Sequence, residues 1–173
     1  MTAAHATVST RAHSVTHVAT NILSSLKRVI RDCGLDTAYM ASIWNVLEAG
    51  TSIWLASGHL KALVLEVYDP TEPTPDNLVG RFDFTIVYDY YGDGDGTLWL
   101  DPDTVSFAIR RAGTYASLCE YRFVADTSPG YPKVDGWSST TFRSTAGMTK
   151  QCLGTGIGGG NLGAGIDLYR RTS

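Results

Sequence analysis

At 173 residues, 43% of them hydrophobic and 18% charged, with a net charge of −3, the chain has the makings of one domain with a real core. The slightly acidic balance opposes nucleic acid or an anionic membrane as the main partner. There is no apolar run long enough to span a bilayer and no signal-peptide core, and three widely spaced cysteines, Cys33, Cys119 and Cys152, read as reduced thiols. The expected location is the cytoplasm.

Residues 1–13 are small and polar without a period and are expected to form a flexible N-terminal arm. From Val15 the pattern changes. Val15, Val18, Ala19, Ile22, Leu26, Val29, Ile30 and Cys33 recur at helical spacing, with Ser14 as the expected N-cap and Gly34 just past the end. Asp36 is placed to cap a second helix, whose apolar line runs through Met40, Ile43, Trp44, Leu47 and Trp54. Gly50 marks a kink or weak point in it, and Gly58 its end.

Strands follow. Leu63, Leu65 and Val67 share one face of a strand that stops at Asp69-Pro70, and residues 71–77 (TEPTPDN) read as a loop. Phe82, Phe84, Ile86 and Tyr88 then alternate with Arg81, Asp83, Thr85 and Val87, as in a half-buried antiparallel strand. Gly92–Gly96 is expected to make a tight reversal. Asp101-Pro102 supplies the N-cap and first position of a third helix, with Val105, Ala108, Ile109 and Ala112 inward and Gly113 beyond. A last strand, Leu118–Ala125, sets Leu118, Glu120 and Arg122 against Cys119, Tyr121 and Phe123. After Pro129-Gly130 the chain is irregular, with Trp137 and Phe142 as its large anchors. This order gives an α+β fold.

The tail LGTGIGGGNLGAGIDLYRR (153–171) is the most unusual segment. Gly154, Gly156, Gly158, Gly159, Gly160, Gly163 and Gly165 precede Ile166, Leu168 and Tyr169, residues that favour burial. Glycine pays the largest backbone entropy on ordering, so the expectation is a movable hinge carrying a terminal strand.

No motif for catalysis or a cofactor survives inspection. Gly154–Gly159 satisfies GxGxxG, but no helix-forming stretch or acidic residue at the required distance follows. The carboxylates Asp89, Asp93, Asp95, Asp101 and Asp103 miss the calcium-loop pattern, because twelve-residue loops begun at Asp89 or Asp93 end on Leu100 or Thr104 rather than on Glu. His5, His13, His17 and His59 have no nucleophile partner at a useful spacing. Lys27-Arg28, Arg110-Arg111 and Arg170-Arg171 read as solvated faces and helix-end charges. Neither a metal nor a cofactor is expected. Trp137 stands apart, since a large aromatic in an irregular segment either pins that segment or meets a partner.

The opening SVTHVATNILSSLKRVIRDCGL, the block WLASGHLKALVLEVYDP, the strand LVGRFDFTIVYDYY and the ending GWSSTTFRSTAGMTKQCLGTGIGGGNLGAGIDLYRR together resemble the bacterial HORMA domain family, over residues 14–171. The resemblance implies three helices on an antiparallel β-sheet, with a core at 14–135 and a mobile C-terminal safety belt at 136–173. It implies a peptide-binding signalling adaptor of anti-phage (CBASS) systems rather than an enzyme. Closed on a closure-motif peptide, it would bind and activate a cGAS/DncV-like nucleotidyltransferase making a cyclic oligonucleotide. A AAA+ ATPase similar to TRIP13/Pch2 would reopen it through Met1–His13, and other HORMA proteins are further partners. The peptide is expected on the strand bearing Cys119, Tyr121 and Phe123, under a belt pinned by Trp137, Phe142 and Leu168, with glycines 154–165 as its hinge. Two rivals remain: a small enzyme with a pocket near Asp89 and Asp101, and a binding module that never remodels.

Overall fold

The computed structural model describes residues 2–89 and 98–171, with side chains from residue 12. In chain order the elements are α1 (Thr2–Asp32), α2 (Ala38–Ser42), α3 (Trp44–Ala56), β1 (Leu60–Tyr68), β2 (Leu78–Tyr88), β3 (Trp99–Leu100), α4 (Pro102–Ala112), β4 (Glu120–Thr127), β5 (Met148–Gly159) and β6 (Leu162–Arg171). The reversal expected at Gly92–Gly96 lies outside the described residues.

Helix α1 begins earlier than expected. Ser14 is not its cap but a buried residue within it, and the backbone of residues 2–13, expected as an arm, continues the helix. Ala3, Ala4, Ala6 and Ala12 favour helix, and neither glycine nor proline interrupts the chain before Gly34. There the helix stops as the sequence indicates. Gly34 adopts φ +84, and the Leu35 N–H reaches back to the Ile30 carbonyl at 2.9 Å. The apolar side from Val15 to Cys33 is buried throughout.

The expected second helix is two. It breaks at Ile43 (φ −113, ψ 15), not at Gly50, which is buried inside regular α3. Gly50 has a different role: a Cβ there would lie within 2.7 Å of the Trp137 indole. Helix α4 has the predicted bounds, with the Asp101 side chain accepting the Asp103 N–H at 3.0 Å. His17, placed on the polar side of α1, ties that helix to β3 by donating to the Trp99 carbonyl at 2.8 Å.

The six strands form one antiparallel sheet in the order β3-β5-β6-β2-β1-β4. On one face Leu63, Leu65, Val67, Phe82, Phe84, Ile166 and Leu168 meet the helices. On the other, Ala62, Val64 and Val124 form a smaller cluster closed by Phe142. β1 is therefore buried almost along its whole length, because both its faces are covered. β4 begins two residues later than expected and lies at the sheet edge, paired on one side only.

The glycine-rich tail forms the β5–β6 hairpin, with β6 paired to β2 from Gly80↔Arg170 to Tyr88↔Leu162. Two of its glycines are there for close approach. The Trp99 ring lies where a Gly158 Cβ would be, and the Leu98 side chain does the same at Gly159.

Phe82 is fully buried at the centre of the larger core, so Phe82→Ala should lower unfolding free energy by about 3–5 kcal/mol, read from urea denaturation. The thiols should separate cleanly. Burial pushes the Cys33 thiol up to about 11, whereas Cys152 is exposed. A maleimide probe at neutral pH should label Cys152 in the native protein and Cys33 only on unfolding.

Candidate functional site: a strap across the sheet edge

Between β4 and β5 the chain makes no regular element. Residues 128–147 instead pass from the helix side of the sheet to its opposite face, around the free edge of β4. Each end of this strap is fastened by specific bonds.

On the helix side the fastening is aromatic. The Trp137 indole N–H donates to the Val46 carbonyl at 2.9 Å, and the Trp54 indole N–H donates to the Pro132 carbonyl at 2.7 Å. The two rings meet edge-on with centroids 5.0 Å apart, and Tyr131 meets Trp54 edge-on at 5.9 Å. Gly136, at φ +90, brings the backbone against Val46, where a side chain would clash.

On the other face the fastening is ionic. Glu66 has no exposed surface, yet it sits in the middle of β1. Its Oε1 accepts from Arg122 Nε at 2.6 Å and from Arg143 at 3.0 Å, and its Oε2 accepts the Arg143 backbone N–H at 2.8 Å. Arg143 also donates to Asn77 at 2.9 Å and lies 3.7 Å over the Tyr68 ring. Arg122 completes the join by donating to Thr140 Oγ1 at 2.9 Å and to the Thr141 carbonyl at 2.6 Å. Phe142 lies under the Arg81 guanidinium (4.3 Å), which Asp83 grips through both carboxylate oxygens. Burial pushes the Asp83 carboxyl up, against the pull of Arg81.

Between strap and strand lies a channel of ≈ 590 Å³. All five residues from Phe123 to Thr127 line it. Successive side chains of a strand point to opposite faces, so a space touched by five in a row follows the strand's edge. Trp54, Tyr131, Trp137 and Phe142 close it from the strap side and the flanking faces. An unpaired edge presents N–H and C=O groups that a further extended segment satisfies. The arrangement is thus chemically suited to taking an added strand, with apolar side chains against the aromatic rings.

The expected site residues divide accordingly. Phe123, Trp137 and Phe142 come together at the channel. Tyr121 is buried; its hydroxyl donates to the Asp36 carbonyl at 2.6 Å and accepts the Met40 N–H, holding α2 to the sheet. Cys119 lines a neighbouring groove. Leu168 is not at the channel: it is a core residue of β6 opposite Phe82, three strands from β4, because the tail pairs with β2. Asp101 is an exposed helix cap, and Asp89 is exposed. Trp54, Tyr131 and the Glu66–Arg122–Arg143 group were not anticipated. A lone carboxylate inside the apolar run LKALVLEVY was the available signal for Glu66.

A strap held across a free sheet edge, with helices packed on one face of the sheet, defines the fold class. The chain belongs to the family described as bacterial HORMA domain 2, which matches residues 1–172. No curated protein matches in sequence. Among solved structures the fold is similar to C. elegans HTP-2 bound to the HIM-3 closure motif, at 12% identity over 86% of each chain and TM-score 0.61. It is similar to the E. coli MS115-1 CdnC:HORMA-deltaN complex, at 15% identity over 94% of this chain and 90% of that one, with TM-score 0.59. It also resembles the mitotic checkpoint complex, at 9% identity over 80% of this chain and 75% of that one, with TM-score 0.59. Among the described residues no helix is long and apolar enough to cross a membrane.

Removing one partner of a buried ion pair leaves the other charge stranded, at a typical cost of about 3–5 kcal/mol. Arg143→Ala should therefore release the sheet-side end of the strap. Limited proteolysis should show cuts within residues 138–147 that the unsubstituted protein resists, while the core fragments stay intact. Gly50→Ala should loosen the other end by displacing the Trp137 ring, at about 1–3 kcal/mol. Tryptophan emission should then shift to the red.

Proposed function

We propose that this chain is a peptide-binding adaptor in which the strap acts as the safety belt, closing over a short extended peptide added as a strand to the free edge of β4. The observation that carries this reading is the channel itself, bounded by five consecutive β4 residues and roofed by a segment fastened on both faces of the sheet. Main-chain hydrogen bonds along the edge supply affinity, and the aromatic rings of Phe123, Trp54, Tyr131 and Trp137 select a large apolar side chain. The HTP-2 structure bound to a closure motif supports this use of the fold.

The peptide-loaded form then binds and activates a cGAS/DncV-like nucleotidyltransferase in anti-phage signalling, a reading supported by the E. coli CdnC:HORMA-deltaN complex. A TRIP13/Pch2-like AAA+ ATPase acts on residues 1–13 to reopen the domain. Gly154 (φ +86) and Gly160 (φ +59) sit at the hairpin's irregular points and serve as its hinge when the tail re-pairs.

Overlapping 15-residue peptides covering the cognate nucleotidyltransferase and this chain itself, spotted on an array, test the first step. At least one spot should capture the full chain, and N-methylation of alternate amides in that peptide should abolish capture. Capture that survives N-methylation would refute strand addition. In a reconstituted reaction, the captured peptide plus the full chain should raise cyclic-oligonucleotide synthesis by about tenfold or more over either alone, as expected for a coupling of 1–3 kcal/mol.

A further inference from the structure

The edge of β4 does not end where the strap leaves it. A second space of ≈ 490 Å³ is lined by all four residues from Cys119 to Arg122, and the channel takes over at Phe123. Together the two spaces follow all eight residues of the β4 edge, with Cys119 just before it. The strap contributes to the first alone. The second is open and is walled by the rings of Tyr39, Tyr68 and Tyr121, with the carboxylates of Asp36 and Glu120.

The charge of this pocket has a definite sign. Among the described residues that line it Arg122 is the one cation, and all three of its guanidinium nitrogens are turned onto Glu66, Thr140 and Thr141. Asp36 and Glu120 are exposed and flank the edge from opposite faces: Asp36 accepts the Ala38 N–H on the helix side beside Tyr121, and Glu120 accepts the Tyr68 hydroxyl on the other. Tyr39, half exposed, and Tyr121 meet edge-on at 5.7 Å. On the helix-facing side the rings of Tyr39 and Tyr121 beside the Asp36 carboxylate, with the local cation already engaged, favour a positive side chain, and Glu120 adds to the negative field from the other face.

We propose that the peptide site runs on past the strap into this pocket and takes a lysine or arginine there. This rests on strand addition at the β4 edge. Phe123 in β4 and Cys119, the residue just before the strand begins, lie four residues apart, and both pack against the helix-side core. Side chains of an added strand alternate in step with it. The basic residue therefore falls about four positions from the large apolar residue held at Phe123 and the tryptophans. The ligand class is an extended peptide with one apolar anchor and one cation at fixed spacing.

A random dodecamer library displayed on phage and panned on the full chain tests this. The enriched peptides should carry a large apolar position and a Lys or Arg about four residues away. Repeating the selection on Asp36→Asn/Glu120→Gln, which keeps both internal hydrogen bonds, should erase the basic position and retain the apolar one. A synthetic enriched peptide should bind that variant about tenfold more weakly in fluorescence anisotropy, the upper end of what an ion pair with Asp36 and the neighbouring charge of Glu120 supply. An apolar position with no basic one overturns the inference and leaves strand addition standing. So does a basic position that persists on the double variant. No enrichment over bare beads overturns both.

Discussion

A carboxylate buried in the middle of the sheet is the interaction on which the rest of this molecule depends. Glu66 follows Leu65 and precedes Val67 in a strand buried almost throughout, opposite Arg81 on one side and Arg122 on the other, and a charge there needs partners. Its partners come from two separate places, Arg122 on the edge strand and Arg143 on the strap. One acid thus fixes the position of β4 relative to β1 and, at the same point, the path of the segment that crosses it. The backbone N–H of Arg143 completes the set, so the strap is held by its main chain as well as by a side chain.

That arrangement settles how an open sheet edge is managed. Edge strands invite pairing with other chains, and proteins blunt them with charge, proline, bulges or a cover. Here the cover is the strap, but it stands off from β4 rather than pairing with it. Pro129, Pro132 and the glycines at 130 and 136 oppose a ladder, and the aromatic residues at 131 and 137 turn inward to α3 instead. The edge is protected from large surfaces and left open to a single extended segment.

Much of the fold was legible from local pattern. Helix α4 could be placed from Asp101, Pro102 and Gly113 because each acts through its own backbone, and the alternation in β2 was legible for the same reason. The misplacements share a cause in distant contacts. The glycine at position 50 is used by Trp137, which sits some ninety residues on from Val46 and needs the missing side chain for its ring. The glycines of the tail look like freedom in the sequence and are used for proximity in the fold, because Trp99, Leu98 and Thr104 occupy the space their side chains would fill. Of the site, Phe123, Trp137 and Phe142 were readable as large apolar residues with no helical period to absorb them. The Glu66 group was not, since nothing local links residues 66, 122 and 143.

The two fastenings of the strap differ in kind, and the difference bears on exchange. The aromatic end is apolar packing with two indole hydrogen bonds, insensitive to salt; the ionic end is buried and therefore also poorly screened. In the proposed adaptor a peptide in the channel would be enclosed by both and would leave only when one end opens. Local opening of that kind costs the free energy of the contacts broken, not that of the peptide's own bonds. On that proposal dissociation would be governed by the strap, and affinity and residence time would be separable: the peptide's own contacts along the edge would set the first, and Glu66, Gly50 and Trp137 the second.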